Sequence, residues 1–483
     1  MILGTHSPLK VLTLLVFLLL SLSCSKDSDL FADYVLTDGQ DAIVEDDSRS
    51  SDEDDSDSTT EDDSDSTTED DSESNANAVS LQSYGAVGDG VTDDTVAIQN
   101  AFDNEEHITS DPNKTYLISK SVTLDQNMAQ TINFRGSTIT RNGRVHWMLN
   151  IDKRNYNNSL TTIRNLKVDG NDKSGSTIDI KSRVHFENIE IYDVIHDNAN
   201  GIRMLVYNVP GVYGQSVFDN VNIHNLESLN SDGSSGNNPG MVHGFLVSAQ
   251  ETPSQTTQIV YKNSELYELW GEDAGGITLN SPGFDTSNSP LSFWFENISV
   301  RDAQRRTVKN FIGNTTWINS TFTAAANNNP KLVPASEGGL NPAGLFVIAS
   351  SSSATGSTNN LVCGCTFQGH PDDPFDSWYT QVIVQGQNGP AGAEIRNSTF
   401  TGGHGGRWGT NGITLIGILD DITIANTTFG TTNTILGGGS QQQGTLLIDA
   451  NNVYADGKSK AFSRVGLKYS EPSISYSPCP TID

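Results

Sequence analysis

The stretch FWFENISVRDAQRRTVKNF, residues 293–311, decides the fold of this chain. It contains three short apolar segments, Phe293–Phe295, Ile298–Val300 and Thr307–Phe311. Asn297 separates the first two segments, and a basic turn separates the second from the third. Three strands in so short a stretch predict one coil of a parallel β-helix, in which each coil packs its apolar side against the next coil.

The phrase around Asn297 recurs along the chain with an asparagine or a glycine at the same point. These residues tolerate a left-handed backbone at a tight corner better than other residues do. We therefore predict a stacked ladder of corners. Its members are Asn165, Asn188, Asn220, Asn263, Asn297, Asn319, Gly364, Asn397 and Asn426.

The segments that follow these corners are expected to stack as one parallel sheet. Side chains alternate between the two faces of a strand, so one set should point inward and the next set outward. The inward set is Ile202, Phe245, Ile277, Val308, Leu345, Val382 and Ile413. The outward set is Arg203, Leu246, Thr278, Lys309, Phe346, Ile383 and Thr414. At the turn, where alternation need not hold, lie Asn200, His243, Gly275, Arg306, Ala343, Thr380 and Asn411.

The N-terminal residues 1–24, MILGTHSPLKVLTLLVFLLLSLSC, predict an export signal, because the apolar run is too short for a comfortable membrane span. The segment resembles a bacterial lipoprotein signal, and SKDSD after it resembles the export tag of Bacteroidetes-type surface lipoproteins. That resemblance implies lipidation of Cys24 and a cell-surface protein anchored in the outer membrane. The alternative is an ordinary cleaved signal and a secreted protein.

Residues 25–78 predict an acidic disordered linker. They hold much of the acidity behind the formal net charge of −31, and DSDSTTED occurs at 55–62 and again at 63–70. Such a sequence cannot bury enough apolar surface to offset its chain entropy. The alternative is a low-affinity Ca²⁺-binding tract; no other cofactor is predicted. The folded domain is expected over 79–483.

The phrase VSLQSYGAVGDGVTDDTVAIQNAF, residues 79–102, predicts a strand, a glycine-rich turn and a helix that closes the first coil. Thr92 or Asp93 is the predicted helix cap, and Val96, Ile98 and Phe102 the buried face. The phrase resembles the start of the pectate-lyase-like superfamily, which includes polygalacturonases, iota-carrageenases, polysaccharide lyases and phage tailspikes. The resemblance implies an all-β, right-handed parallel β-helix with an N-terminal capping helix. It identifies the scaffold and leaves the reaction open.

Basic residues gather on the predicted outward face of an otherwise acidic body. They are Arg203, His243, Arg305, Arg306 and Lys309. Arginine binds carboxylate or sulfate groups through two parallel hydrogen bonds. This basic strip therefore predicts an anionic ligand, with Arg203, Arg305 and Arg306 as substrate-binding residues.

Two acids, Glu272 and Asp273 in LWGEDAGG, enter the same strip. An acid and a base are the minimum set for glycosidic cleavage. The alternative is that both acids only form surface ion pairs with the arginines. Glu268 is a further nearby acid, and Gln250 in GFLVSAQ resembles a site glutamine of iota-carrageenases.

Together these patterns predict an endo-acting glycoside hydrolase for an anionic polysaccharide, sulfated or uronate-containing and of marine algal type. The predicted catalytic residues are Glu272, Asp273, His243 and Lys309. The first alternative is a polysaccharide lyase, in which Lys309 or Arg306 removes the proton next to a uronate carboxylate. The second alternative is a non-catalytic glycan-binding adhesin. We expect a monomer without a metal site or a nucleic-acid partner.

Cysteine is scarce beyond residue 24, with Cys363, Cys365 and Cys479 only. Three residues are too few for a disulfide framework. One bridge from Cys479 to the Cys363/Cys365 pair is compatible with an exported protein.

Overall fold

The computed structural model describes a set of ranges that cover most of the predicted folded domain. These are residues 77–157, 159–228, 240–281, 283–304, 306–324, 344–350, 356–369, 380–401, 411–431, 433–454 and 467–482, with only the backbone for 272–274, 411 and 433–439. The predicted signal, Cys24 and nearly all of the acidic linker lie outside these ranges, so those assignments stay predictions. No helix within the ranges is long and apolar enough to cross a membrane.

The described chain consists of short strands, one α-helix and two 3-10 turns. The first strands are β1 Val79–Ser80, β2 Asp89–Asp93, β3 His107–Thr109, β4 Thr115–Ile118, β5 Val122–Leu124, β6 Gln130–Arg141, β7 Trp147–Ile151, β8 Thr161–Asp169, β9 Ser176–Ile180, β10 Val184–Tyr192, β11 Val194–Ile195, β12 Asn198–Val206, β13 Gly214–Glu227, β14 Met241–Ala249 and β15 Thr257–Trp270. The later strands are β16 Glu272–Asn280, β17 Leu291–Val300, β18 Arg306–Asn310, β19 Thr315–Ile318, β20 Thr321–Thr323, β21 Phe346–Ala349, β22 Ser357–Cys363, β23 Thr366–Gln368, β24 Thr380–Arg396, β25 Thr399–Thr401, β26 Asn411–Ala425, β27 Thr428–Phe429, β28 Asn433–Gln442, β29 Leu446–Ile448 and β30 Val453–Tyr454. The helix α1 is Thr95–Asn104, and the 3-10 turns are Leu81–Tyr84 and Pro210–Val212.

Strands one coil apart pair in parallel along the whole described chain, and this pairing produces a right-handed parallel β-helix as predicted. One sheet of the solenoid carries the residues of the candidate site. We call it the site sheet, and it consists of β7, β9, β12, β14, β16, β18, β21, β24, β26 and β28 in that order. Its inner face contributes to the core, and its outer face carries the candidate site.

The predicted asparagine ladder is confirmed. All nine members have a positive φ, from 43° at Asn426 to 69° at Gly364. Several side-chain amides also bond to the neighbouring coil: Asn188 Nδ2 donates to Asn165 Oδ1 at 3.0 Å, and Asn220 Nδ2 donates to Asn188 Oδ1 at 2.8 Å. The ladder therefore turns the chain and ties successive coils together.

A second ladder of left-handed corners follows the first by five residues. Its members are Asp193, Asn225, Glu268 and Asp302, with φ between 50° and 56°. Aspartate and asparagine tolerate this conformation, whereas glutamate rarely adopts it. The residue type varies from coil to coil, which explains why the sequence did not reveal this ladder.

The helix α1 packs on the first coil as predicted, although not with the expected face. Ile98 and Phe102 are fully buried, but Val96 is 71% exposed, so its assignment to the buried face was wrong. The N-cap position is Asp94. Asp93 still contributes, because its Oδ1 accepts the backbone N–H of Thr95 at 3.0 Å.

The predicted bridge to the C-terminal segment is confirmed. Cys363 is bonded to Cys479, with 5.7 Å between the two Cα atoms. Cys365 is a buried free cysteine, and burial raises the pKa of its thiol to about 12. The bridge therefore fixes the chain end to the coil of β22.

Removal of this bridge should lower the stability of the protein. We expect Cys479→Ser to reduce the free energy of unfolding by about 2–4 kcal/mol, because the bridge restricts the unfolded chain across a long loop. Urea unfolding monitored by fluorescence measures the change. A reductant should destabilise the wild type and leave Cys479→Ser unaffected; equal midpoints for the two proteins without reductant would contradict the prediction.

Candidate functional site

The predicted register of the site sheet is confirmed for most coils. Ile202 pairs with Phe245, Phe245 with Ile277, and Ile277 with Val308. Val382 pairs with Ile413 further along. The inner face of the sheet therefore follows the predicted column over these strands.

The register was wrong at β21. Val308 pairs with Phe346 instead of Leu345, so Val347, not Phe346, takes the outward position beside Lys309. The ring of Phe346 packs inside the solenoid, 5.0 Å from the ring of Trp317. Burial of this large aromatic side chain favours the observed register.

Glycines within β12, β14 and β16 explain why side chains there do not alternate strictly between the two faces of the sheet. A Cβ at Gly201, Gly244 or Gly276 would lie 2.7, 2.7 or 2.3 Å from a core side chain. Each glycine therefore faces the interior, and the residue before it faces outward. His243 accordingly reaches Thr278 on the outer face, with 2.9 Å between His243 Nδ1 and Thr278 Oγ1.

The described residues of the basic strip lie on the paired strands of the site sheet as predicted, but those on β14 and β18 do not expose their side chains at the surface. His243, Arg306 and Lys309 are only 2%, 4% and 1% exposed. The Nζ atom of Lys309 lies 5.0 Å from the centre of the Phe311 ring. These side chains are therefore packed against other parts of the chain.

Arg203 shares the outward column of Lys309 but lies three coils away, about 14 Å at one strand spacing per coil. The structure therefore does not join it to Arg306 and Lys309. Its Nε atom instead donates to Asp179 Oδ1 at 2.7 Å.

Of the other predicted site residues, Gln250 and Glu268 are described, and neither is part of the basic strip. Gln250 follows the end of β14 and donates from Nε2 to Ser248 Oγ at 2.7 Å. Glu268 is an exposed member of the second corner ladder. Glu272 and Asp273 begin β16, but their side chains lie outside the described part of the structure, as does Arg305.

A different cluster, which we call the outer ion network, lies on the outer face of β7, β9 and β12 and the residues just after them. Arg154 donates from Nε and Nη2 to the two oxygens of Asp152 at 2.9 and 3.0 Å. The ammonium of Lys181 lies 3.8 Å from Asp152 Oδ2 and 3.5 Å from Asp179 Oδ2. Arg203 completes the network through Asp179. Charges of opposite sign thus alternate across three coils.

Aromatic rings bound both ends of this network. The guanidinium of Arg203 lies over the Trp147 ring at 4.4 Å, and that of Arg154 lies over the Tyr207 ring at 4.8 Å. Such cation–π contacts restrict the orientation of each guanidinium. The network is therefore held in place at both ends.

Two histidines adjoin the Trp147 end. The ring centres of His146 and His196 are 5.9 Å apart, and His146 lies 5.4 Å from Trp147. Desolvation lowers the pKa of both imidazoles, and the charge of Arg203 lowers the pKa of His146 further. The lowered pKa favours the neutral form of both rings, which can accept a proton.

The local sequence explains why these groups face outward. In STIDIKS, Asp179 lies between the buried residues Ile178 and Ile180, so alternation directs it outward. Asn150 pairs with Asp179, which places Asp152 next to the coil of Lys181. The sequence showed this position as a charged residue between two apolar ones, but the predicted stack of strands began only at Asn200.

Asp152 and Asp179 share the Lys181 ammonium, so each carboxylate of the network has a cationic partner. Within the described ranges, no group of three or more His, Cys, Asp or Glu side chains is placed to hold a metal ion. The acidic tract considered for Ca²⁺ lies outside those ranges.

Lys153 lies between Asp152 and Arg154 in the chain, and its hydrogen bonds lead to helix α1. It is fully buried, and its Nζ donates to Met128 O at 2.9 Å and to Gln130 Oε1 at 2.6 Å. Gln130 Nε2 in turn donates to the carbonyl oxygens of Phe102 and Glu105. Burial lowers the pKa of Lys153 to about 8.

This lysine predicts a pH dependence of stability. Above pH 8 the folded state loses the Lys153 proton, whereas the unfolded chain keeps it up to about pH 10.4. The unfolded state then binds more protons, so the free energy of unfolding should rise by about 2–3 kcal/mol between these values. Chemical unfolding at pH 7.5 and pH 10 measures the rise, which should be absent in Lys153→Met. An equal rise in both proteins would assign it to other groups.

No protein-family model and no curated protein matches this chain. Among solved structures, the A-module of Azotobacter vinelandii mannuronan C-5 epimerase AlgE6 is 14% identical, with a TM-score of 0.39, over 78% of this chain and 100% of that one. The Streptococcus pneumoniae surface protein and adhesin PfbA is 11% identical, with a TM-score of 0.42, over 82% and 99%. The N-terminal fragment of bacteriophage phi29 gene product 12 is 17% identical, with a TM-score of 0.44, over 82% and 71%.

These neighbours are right-handed parallel β-helix proteins, and because all three TM-scores are below 0.5, no argument about this chain rests on them. The fold class of this chain therefore follows from its own strand pairing. It is a parallel β-helix protein with an ion network on the outer face of one sheet.

Proposed function

We propose that this protein is an enzyme that binds an anionic polysaccharide across the site sheet and cleaves it at the outer ion network. One observation carries the proposal: Asp152 and Asp179, on neighbouring coils, contact the same Lys181 ammonium, with 22% of the Asp152 side chain and 3% of the Asp179 side chain exposed. Their contacting oxygens can be no further apart than the sum of these distances, 3.8 and 3.5 Å. Paired glycosidase carboxyl groups lie about 5–9.5 Å apart.

The cations of the network suit an anionic substrate. A guanidinium has five N–H donors, and the bonds to the aspartates use one on Arg203 and two on Arg154. The remaining donors can bind the carboxylate or sulfate groups of a glycan. A glycan laid across the strands meets a new coil about every 4.8 Å, comparable with the length of one sugar unit.

Hydrolysis is the reaction that this arrangement favours. Asp152, which is 22% exposed, takes up a proton from solvent and delivers it to the leaving oxygen, while Asp179 activates water or attacks the sugar. Lys181 and Arg203 stabilise the negative charge on Asp179. The predicted hydrolase function is retained, with the acid and base reassigned from Glu272 and Asp273 to this pair.

A second candidate reaction, β-elimination, is favoured by the histidines. The neutral His146 imidazole lies beside Trp147 and can accept the proton next to a uronate carboxylate. Arg203 would neutralise that carboxylate. This reading keeps the lyase alternative and assigns the base to His146 instead of Lys309 or Arg306.

A substrate panel tests the proposal. The full chain is incubated with sulfated galactans, fucans, alginate and pectins, and reducing ends and ultraviolet absorbance are followed. New reducing ends without new absorbance support hydrolysis; new reducing ends together with absorbance from unsaturated ends support elimination. Binding without either product supports the adhesin alternative, and it overturns the enzymatic proposal, as does a lack of binding.

A further inference from the structure

Arg141, at the end of β6, is a buried cation surrounded by backbone. Its side chain is fully buried, and its five N–H groups make five hydrogen bonds to backbone carbonyls. The acceptors are the carbonyl oxygens of Gly170 at 2.8 Å, Val145 at 3.0 Å, Gly175 at 3.0 Å, Ser176 at 3.2 Å, and Lys173. This accounts for the full donor capacity of a guanidinium.

These acceptors belong to two neighbouring corners of the solenoid. Val145 lies in the corner that leads into β7; Gly170, Lys173 and Gly175 lie in the corner that leads into β9, and Ser176 is the first residue of β9. Gly175 has a φ of 147°, and a Cβ there would lie 2.0 Å from Val145 O and 2.3 Å from Arg141 Nη1. The two corners therefore approach so closely that only glycine fits between them.

The same corners start the strands that carry the outer ion network. Val145 directly precedes His146 and Trp147, and the backbone N–H of Ser176 donates to His146 O at 2.8 Å. Three residues after Ser176 the chain reaches Asp179. The Arg141 guanidinium thus lies next to the first residues of β7 and β9, the two strands that lead to the proposed site.

We infer that Arg141 is a positioning residue for the outer ion network, because it fixes the corner of β7 against the corner of β9. It touches no group of the network itself and acts through the backbone of Val145 and Ser176. The effect of Arg141 on catalysis rests on the proposed function. The coupling of the two corners is measured independently of any activity.

Two variants disturb the corners by different routes. Arg141→Lys keeps the charge but replaces a five-donor planar group by one ammonium, which cannot reach all five carbonyls. Gly175→Ala keeps Arg141 and forces the corners apart. The matched control is Asn360→Ala, which removes a buried hub on a distant coil that bonds to Ser357 O and Gly392 O at 3.0 and 3.1 Å.

The measurement is the NMR titration of the His146 ring, assigned by its loss in His146→Gln, together with the melting temperature. We expect the pKa of His146 to rise towards its ordinary value in Arg141→Lys and in Gly175→Ala, because the loosened corners separate the ring from His196 and from the charge of Arg203, which both lower that pKa. Asn360→Ala should lower the melting temperature and leave that titration unchanged. On an identified substrate, the two corner variants should lower kcat more than they raise KM.

An unchanged His146 titration in the corner variants, with a melting temperature lowered as in the control, would overturn the inference and leave Arg141 a stabilising residue only. A shifted His146 titration in the corner variants, combined with no polysaccharide product from the wild type, would distinguish the inference from the proposed function. The coupling of the corners would then stand, and the proposed function would fail. If Arg141→Lys does not fold, Gly175→Ala decides the question by the same titration.

Discussion

Replacement of Asp179 by asparagine is expected to lower kcat by about 10²–10⁴-fold, the usual contribution of a positioned acid or base. Asparagine has nearly the same shape but cannot accept a proton or carry the charge that Lys181 and Arg203 contact. The loss should appear in kcat more than in KM, because the group acts on the transition state. Asp152→Asn should have an effect of similar size. Initial rates of reducing-end formation measure both.

The matched control is Asp219→Asn on a different sheet. Asp219 is also paired with a lysine, with 3.3 Å between Lys262 Nζ and Asp219 Oδ2, but it lies far from the outer face of the site sheet. It should retain wild-type activity. Full activity in Asp179→Asn, combined with loss in Lys309→Ala, would move the site to the basic strip predicted from the sequence.

The corners of the coils were predictable because each depends on one residue and its own backbone. Asn297 needs a left-handed conformation whatever lies in the next coil, so its identity is visible in the sequence. The register at Phe346 was not predictable in this way. There the competing choices, Leu345 or Phe346 inward, differ in how they pack against Trp317 on another face of the solenoid.

The candidate site was harder to predict than the fold. Asp179 and Arg203 are 24 residues apart, and only the pairing of β9 with β12 brings them together. Loops of different length separate the coils, so the sequence does not reveal which charged residues become neighbours. The burial of Lys309 and Arg306 was equally hidden, because a basic residue in an outward register is normally expected at the surface.

The largest stability effect is expected at Trp317. Its fully buried ring stacks on Phe295, with centres 4.0 Å apart and planes 11° apart. Its indole N–H donates to Thr315 Oγ1 at 3.0 Å. Trp317→Ala removes this volume from the core and leaves Thr315 without that donor. We expect the free energy of unfolding to fall by about 3–5 kcal/mol.

Trp294 provides the matched control for Trp317. It precedes Phe295 on β17 and points to the opposite face, where it is half-buried and its indole N–H donates to Glu296 Oε2 at 2.9 Å. Trp294→Ala should cost about 1 kcal/mol or less, since surface side chains contribute little. Denaturant unfolding compares the two variants. Because coils contact only their neighbours, hydrogen exchange should accelerate first in β17, β19 and β22. Equal losses in both variants would mean that the aromatic stack does not hold these coils together.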